Sequence, residues 1–387
     1  MDVDVVSPRE LGSGDHTRWQ ALHGGYAPYK SPFLSPSFAA AVSRARPATR
    51  VAVLRDGPAA GFFPFEHARG GHGRALGMGI SDLQGLVAHP GLQFDTAEML
   101  GACGLRSYTF DHLIARQRDR LVTGPARFTT ELSRVIHVSS GYETWVAERR
   151  AASKGLLQST ARKTRKLERE HGPVRLVYDY PDHAALERLL EWKSQQYRRT
   201  MRRDRFADPV MRSLMHNLLD IRDVDFSAPL SVLTAGDTMI AAHFGLRSRT
   251  TLSWWFPVYD TEFAVYSPGL ILCFEMVRAL ADDGGVLIDL GKGDEPYKER
   301  LSNGAIELLN GSVSATHRTQ ALRTLRRLPY ERTKSMVLRS PALRDTCRRT
   351  MARVGQARER MASSRSGGRP PVRVPAPTGA IKEAIDV

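Results

Sequence analysis

The segment from Thr250 to Asn303 decides the fold. It begins with Thr251-Leu252-Ser253-Trp254-Trp255-Phe256-Pro257-Val258 and passes through Tyr266-Ser267-Pro268-Gly269 into the apolar run Leu270 to Ala281. Gly284-Gly285 follows, then Val286-Leu287-Ile288-Asp289-Leu290, then Gly291-Lys292-Gly293-Asp294-Glu295-Pro296-Tyr297-Lys298-Glu299-Arg300-Leu301. β-Branched and aromatic content predicts a strand for the first stretch. Next come a loop, a helix closed by the two glycines, and a short buried strand. The last stretch has the acidic start and basic end of a short helix. Strand, loop, helix, strand, helix is an order that turns a helix N-terminus toward a crevice between strand ends. The free N–H groups after Ser267-Pro268-Gly269 are suited to an anion such as pyrophosphate: Gly269 permits close approach and Pro268 costs no needed donor. The same residues also read simply as the cap of a core helix.

Three side chains in this region carry acid–base chemistry or plain packing. Asp289 lies in an apolar run, where an unpaired carboxylate is costly; it is either half of a buried ion pair with Lys298 or Lys292, or a carboxylate of shifted pKa beside the crevice. Tyr297 is a packing residue or a proton donor at the cleft. His243 lies on an alternating strand, as a satisfied core histidine or a base. Gly285 to Lys292 misses the phosphate-binding P-loop, with five strand residues between its glycines instead of four and Gly293 where a magnesium-holding hydroxyl is required. A nucleoside-triphosphate site is excluded.

Outward from this segment, the chain reads as a weak long-period repeat. One half has helical stretches from Asp15 to His23 and Ser37 to Arg46, then Val51 to Arg55, Asp56-Gly57, and Ala60 to Phe65, a hairpin signal. The other has a long helical run from Thr144 to His171 stopped at Gly172-Pro173, and a strand from Val174 to Tyr180. A helix follows Pro181-Asp182, with Leu186, Leu189, Leu190 and Tyr197 on one stripe, and another runs from Asp208 to Leu219 with Asp208 as N-cap. Leu230 to Thr234, a turn at Ala235-Gly236-Asp237, and Met239 to Leu246 make the second hairpin. The expectation is an α/β (α+β) fold: two tandem domains, each a mixed sheet flanked by helices, over residues 1–138 and 139–316. A basic helical tail at 317–362 and a disordered tail at 363–387 complete it.

The chain has 387 residues, with 42% hydrophobic and 25% charged, ordinary for a globular protein. Its net charge of +15 is concentrated: residues 317–369 hold fourteen Arg, one Lys and three acidic residues, a net +12. Polyanion binding therefore belongs to the tail rather than the body. Cys103, Cys273 and Cys347 are far apart and form neither a disulfide framework nor a zinc site. The histidines show no metal-ligand spacing, so no metal is expected. There is no transmembrane run, and the acidic start Met1-Asp2-Val3-Asp4 lacks the character of a secretory signal. The expectation is a cytoplasmic protein, with the tail able to hold it peripherally at the inner membrane.

Tyr266 to Leu272 and Asp289-Leu290-Gly291-Lys292-Gly293-Asp294-Glu295-Pro296-Tyr297-Lys298 resemble the GNAT acyltransferase superfamily. More narrowly, they resemble its cellulose-biosynthesis-associated (CelD/BcsL-type) branch, which is close to the FemAB-like tandem enzymes. The basic run Arg162 to Leu167 and Ile240-Ala241-Ala242-His243-Phe244 support it over about residues 140–310; Ser31 to Pro36 and Ser81-Asp82-Leu83-Gln84-Gly85 agree loosely. The superfamily's usual Gln/Arg-x-x-Gly-x-Gly/Ala loop is absent, and Ser267-Pro268-Gly269 stands in its place. The resemblance implies transfer of an acyl group, such as acetyl from acetyl-CoA, to a sugar, amine or envelope-polysaccharide precursor by direct attack on the thioester. It implies Tyr297 as acid, Asp289 or His243 as base, an oxyanion N–H near Trp254 to Phe256, and Ser267, Pro268, Gly269, Leu270 and Lys298 as cosubstrate-binding residues. FemAB-like relatives use aminoacyl-tRNA instead, which the basic tail and the Arg162–Arg169 helix would suit. A non-catalytic partner protein, meeting an anionic surface (membrane or RNA) through its tail, is the third reading.

Overall fold

The computed structural model describes residues 2–25, 30–293, 295–319 and 321; the tail helices and the disorder expected for 317–362 and 363–387 fall almost wholly outside them, as does Cys347. The first half runs β1 (Asp2–Val6), α1 (Ser13–Gly25), α2 (Pro36–Ala45), β2 (Thr49–Asp56), β3 (Ala59–Ala68), β4 (His72–Ala75), β5 (Val87–Ala88), α3 (Thr96–Ala102), β6 (Ser107–Ile114), α4 (Arg118–Leu121) and β7 (Ala126–His137). The second runs α5 (Tyr142–Ala152), α6 (Lys154–His171), β8 (Val174–Val177), α7 (His183–Arg199), α8 (Pro209–Leu219), β9 (Arg222–Asp223), β10 (Phe226–Ser227), β11 (Leu230–Ala235) and β12 (Thr238–Arg247). It ends with β13 (Thr251–Tyr259), α9 (Pro268–Asp282), β14 (Leu287–Lys292), α10 (Pro296–Leu301) and β15 (Gly304–Ser314).

Local chemistry sets the element ends. Ser35 and Asp208 cap α2 and α8 by accepting the N–H groups of Phe38 and Val210, each with proline at the first helical position. Asp182 caps α7 through the Ala185 N–H at 2.6 Å. Both hairpins turn on a left-handed glycine, Gly57 (φ 57) and Gly236 (φ 58). Two expectations are corrected. The run Thr144 to His171 is two helices, because the chain extends at Ser153 (φ −153, ψ 67) before restarting. The strand from Val174 stops at Val177, short of Tyr180, with Asp179 left-handed (φ 48) beyond it.

The halves repeat one another. β1 pairs antiparallel with β2 as β8 does with β11, two helices intervening in each case. β4 pairs parallel with β6 across α3, and β13 parallel with β14 across α9. The final strands are exchanged: β7 of the first half lies against β14, and β15 lies against β6. β7 and β15 then pair antiparallel with each other from Ala126↔Val313 to Val135↔Gly304. One mixed sheet of fifteen strands results, flanked by helices.

The cores follow this arrangement. One apolar cluster joins the halves, with Trp19, Phe38 and Phe62 from the first packed with Leu189, Leu214, Phe244 and Trp255 from the second. A second cluster lies between the sheet and α5, α6 and α9, and a third joins the first half to Leu309 and Val313 of β15. Trp255 Nε1 donates to Ile80 O at 2.7 Å across the halves. A cut between residues 138 and 139 therefore falls between elements but not between cores. No helix among the described residues is long and apolar enough to cross a membrane.

The exchanged strands touch closely at Gly311, where a Cβ would lie 2.1 Å from Arg127 O. Gly311→Ala should therefore cost about 1–3 kcal/mol in denaturant unfolding. Gly101→Ala, in α3 with nothing within 4 Å, should be neutral or stabilising.

Candidate active site

The crevice arises where β13 and β14 part. They pair over Thr251↔Leu287, Leu252↔Ile288 and Ser253↔Asp289 only, though β13 runs on to Tyr259 and β14 to Lys292. On its other side β13 carries a bulge: the register passes from Phe244↔Phe256 to Leu246↔Ser253, so Gly245 opposes both Trp254 and Trp255. A bulge bends its strand and re-aims its backbone, here toward the gap.

The α9 face of the crevice is basic and open. Ser267, at the N-cap of α9, is left-handed (φ 56, ψ 51), and no side chain caps the first turn Pro268-Gly269-Leu270. Lys163 Nζ, from the basic helix α6, donates to Ser267 Oγ at 2.7 Å. A cation thus stands beside a helix N-terminus, and both favour an anion. Tyr266 is anchored to α6 through Glu170 and His171. The equivalent helix of the first half, α3, is only seven residues long, and the Asp95 carboxylate occupies its N-terminus by accepting the Glu98 N–H at 2.9 Å. That end disfavours an anion, whereas among the described residues the first turn of α9 has no acidic side chain.

Deeper on the same face lie Tyr297, Trp254 and His243. The Tyr297 hydroxyl neighbours Trp254 and Cys273, and burial, followed by the charges of Cys273 and Glu295, pushes its pKa well up, so it stays protonated. His243 is fully buried and stacks on Trp254 with ring centroids 4.4 Å apart. Its Nε2 lies 3.1 Å from Ser253 O and carries the proton, which leaves Nδ1 with the lone pair. Burial holds its pKa down at about 3, so the ring is neutral. His243 Nδ1 and Ser253 Oγ are buried polar atoms without hydrogen-bond partners, while Trp254 Nε1 faces the Tyr297 hydroxyl. Cys273 is buried with its pKa raised to about 12, a packing thiol.

Asp289 lies on the opposite face. Ile288 and Leu290 enter the α9 cluster, so alternation turns Asp289 away from it. It is 3% exposed, and its Oδ1 accepts from Ser133 Oγ at 2.5 Å and from the Gly291 N–H at 2.9 Å. Burial raises its pKa against those two hydrogen bonds. Beside it stands Asp82 from the first half, packed against Gly291, with its pKa raised to about 6 chiefly by burial and further by Asp289. Two neighbouring carboxylates in one enclosed place cannot both ionise freely. Asp82 is held by a rigid arm: Gln84 Oε1 accepts the N–H groups of Asp111 and His112, and Lys292 Nζ donates to Asp111 O.

The expected site residues thus divide. Ser267 to Leu270 form the N-terminal end of α9 beside Lys163, Tyr297 and His243 line the α9 face, and Asp289 lies across the sheet from them. Lys298, expected with the phosphates, instead donates to Lys292 O at 2.7 Å and faces Glu295 Oε2 at 3.2 Å, on the Asp289 side. Sequence reasoning missed Asp82 as a functional side chain, along with Lys163 and Lys193. Lys193 had a legible signal: with Leu186, Leu189, Leu190 and Tyr197 it completes the apolar stripe of α7, where a lysine is out of place. Among the described residues no group of three or more potential ligands could hold a metal ion.

Residues 155–299 match the family model described as Acetyltransferase (GNAT) domain. No curated protein matches the chain. Among solved structures, a conserved protein of unknown function from Bacteroides thetaiotaomicron shares 13% identity, covering 81% of this chain and 100% of that one, at TM-score 0.53. The crystal structure of FemX shares 10% identity, covering 84% and 99%, at TM-score 0.52. A tandem GNAT protein from the clavulanic acid biosynthesis pathway matches at 11% identity over 81% and 99%, with TM-score 0.41. The chain has a GNAT-like mixed α/β fold, and it is within its second half that the acetyltransferase (GNAT) model matches.

The Asp82 shift has a sign that can be measured. Its folded pKa of about 6 lies above the ordinary 3.8, so the native state binds the extra proton between those values and stability falls as pH rises through that window. Asp82→Asn should lack this loss, gaining roughly 1–3 kcal/mol over the wild type above pH 7 and much less near pH 4, as read by denaturant unfolding across pH.

Proposed function

We propose that this chain is an acyl-CoA-dependent acyltransferase, with acetyl-CoA as donor and an amine or hydroxyl of a sugar, amine or envelope-polysaccharide precursor as acceptor. The observation that carries this reading is the uncapped first turn of α9, with Lys163 beside Ser267, opening on the gap between β13 and β14. Pyrophosphate would lie over Ser267 to Leu270 while the acyl arm enters the gap, where Ser253 Oγ has hydrogen-bonding capacity to spare. The CelD/BcsL-type resemblance agrees with this assignment.

The chemistry follows from the two faces. The acceptor nitrogen or oxygen attacks the thioester carbon, forming a C–N or C–O bond, and the C–S bond breaks. The acceptor's proton passes to Asp82, whose raised pKa suits a base, with Asp289 holding that pKa up. A backbone N–H at the Trp254–Trp255 bulge holds the oxyanion. The departing thiolate takes the Tyr297 proton. His243, neutral and walled in, props Trp254 rather than accepting a proton. Asp82 replaces His243 as the base in this reading because it stands beside Asp289 on the acceptor side.

Acetyl-CoA should raise the unfolding temperature of the full chain in a concentration-dependent way, by about 2.7 kcal/mol of stability at a hundredfold excess over Kd. Gly269→Asp, which puts a carboxylate at the helix end, should abolish the shift. Its absence in the folded wild type would move the assignment to an aminoacyl-tRNA donor or a fold without catalysis. Tyr297→Phe should lower kcat about 10²-fold or more with little change in KM for the donor.

A further inference from the structure

Lys193 is the one lysine on the α7 stripe, and burial leaves it 8% exposed. Its Nζ donates to Pro257 O at 2.7 Å, on the stretch of β13 that has parted from β14. An ammonium has three N–H groups, and no carboxylate forms an ion pair with this one among the described residues. A buried charge without a counter-charge is expensive. The charged groups that act on it most are Arg202, Lys298 and Arg205, opposed by Glu295. Glu295 is already shared, at 3.2 Å from Lys298 and 3.8 Å from Arg202. Asp204 is engaged by Arg198 and Ser194, and Arg205 is exposed with no ion pair among the described residues. Burial and these cations together hold Lys193 down at about 7. Lys193 on the β13 edge and Lys298 on the β14 edge therefore bracket the crevice mouth with excess positive charge. This is the face opposite the α9 N-terminus, since α7 packs into the core that joins the halves and α9 into the other.

Resting on the acyl-transfer reading above, we propose that Lys193, Arg205, Arg202 and Lys298 form an anion subsite on the acceptor side, and that the acceptor is a phosphorylated molecule. Its phosphoryl group is held at the crevice mouth while its amine or hydroxyl reaches Asp82 and the thioester. Glu295 and Asp82 offset only part of these four cations, so an anion is favoured, and the arginine fork matches phosphoryl oxygens. The subsite places the nucleophile and takes no part in bond making.

The test uses the full chain with inorganic pyrophosphate and, separately, acetyl-CoA as titrants in calorimetry. Lys193→Met and Arg205→Gln should each weaken pyrophosphate binding about tenfold, equivalent to ~1.4 kcal/mol, and leave acetyl-CoA binding intact. Lys163→Gln should weaken acetyl-CoA and spare the pyrophosphate bound at the Lys193 side. Without ligand, Lys193→Met should be at least as stable as the wild type, because an uncompensated buried charge is removed; should it fail to fold, the exposed Arg205 carries the test alone. Unchanged pyrophosphate affinity in the Lys193 and Arg205 variants overturns the subsite. If acetyl-CoA binds nowhere while pyrophosphate still depends on Lys193, the donor assignment fails and the subsite stands. Co-sedimentation with vesicles of phosphatidylglycerol in phosphatidylcholine then separates the sources. A drop in Arg205→Gln assigns a lipid headgroup, whereas no drop, with pyrophosphate binding lost, assigns a soluble phosphorylated acceptor.

Discussion

The antiparallel ladder between β7 and β15 is the constraint on which the rest depends. Each half gives its last strand to the other, so the sheet is continuous and neither half closes its own. The pairing fixes how the first half presents Ser81 to Gln84 to the second, and so places Asp82 against Gly291 at the β14 end of the crevice. The core shared by α1, α2, α7 and α8 holds the same relation from the other side. The proposed site is therefore composite: the donor end is assigned to the second half, and a carboxylate for the acceptor comes from the first.

Duplication explains why one half is equipped and the other is not. Both repeats have a parallel strand pair bridged by a helix, but the helix ends differ in charge. Asp95 satisfies the first turn of α3 with a carboxylate, whereas Ser267 turns left-handed and leaves α9 open, with Lys163 supplying a positive charge. Because an anion gains from an open helix N-terminus and loses beside a carboxylate, a single residue type at the cap separates a phosphate end from a structural one.

Much of this was legible in the sequence. The caps Asp182 and Asp208, the two glycine hairpins and the order from β13 to α10 read directly, since each depends on residues near in sequence. The exchanged strands did not read. Most of β7 before Ser133 is exposed or partly so, without alternation, and its partner is distant: Glu131 faces Leu308. The break at Ser153 has no proline and only Gly155, inside the following helix, to announce it. At the candidate site, strand–helix order is enough to set Tyr297 and Ser267 to Leu270 beside the crevice. The proposed base was harder to read, because the nearness of Asp82 to Asp289 is a product of the strand exchange and no local spacing encodes it. His243 looked reactive by residue type, yet complete burial against Trp254 leaves it a neutral ring.

The central claim is that donor and acceptor meet through the gap between β13 and β14, from opposite faces of the sheet. A crystal structure of the full chain with bound acetyl-CoA tests it most directly. The account predicts pyrophosphate over Ser267 to Leu270 within reach of Lys163, the thioester between Trp254 and Tyr297, and its carbonyl carbon open toward Asp82. Acetyl-CoA bound elsewhere, or with its thioester turned away from the Asp82 side of the sheet, would contradict it.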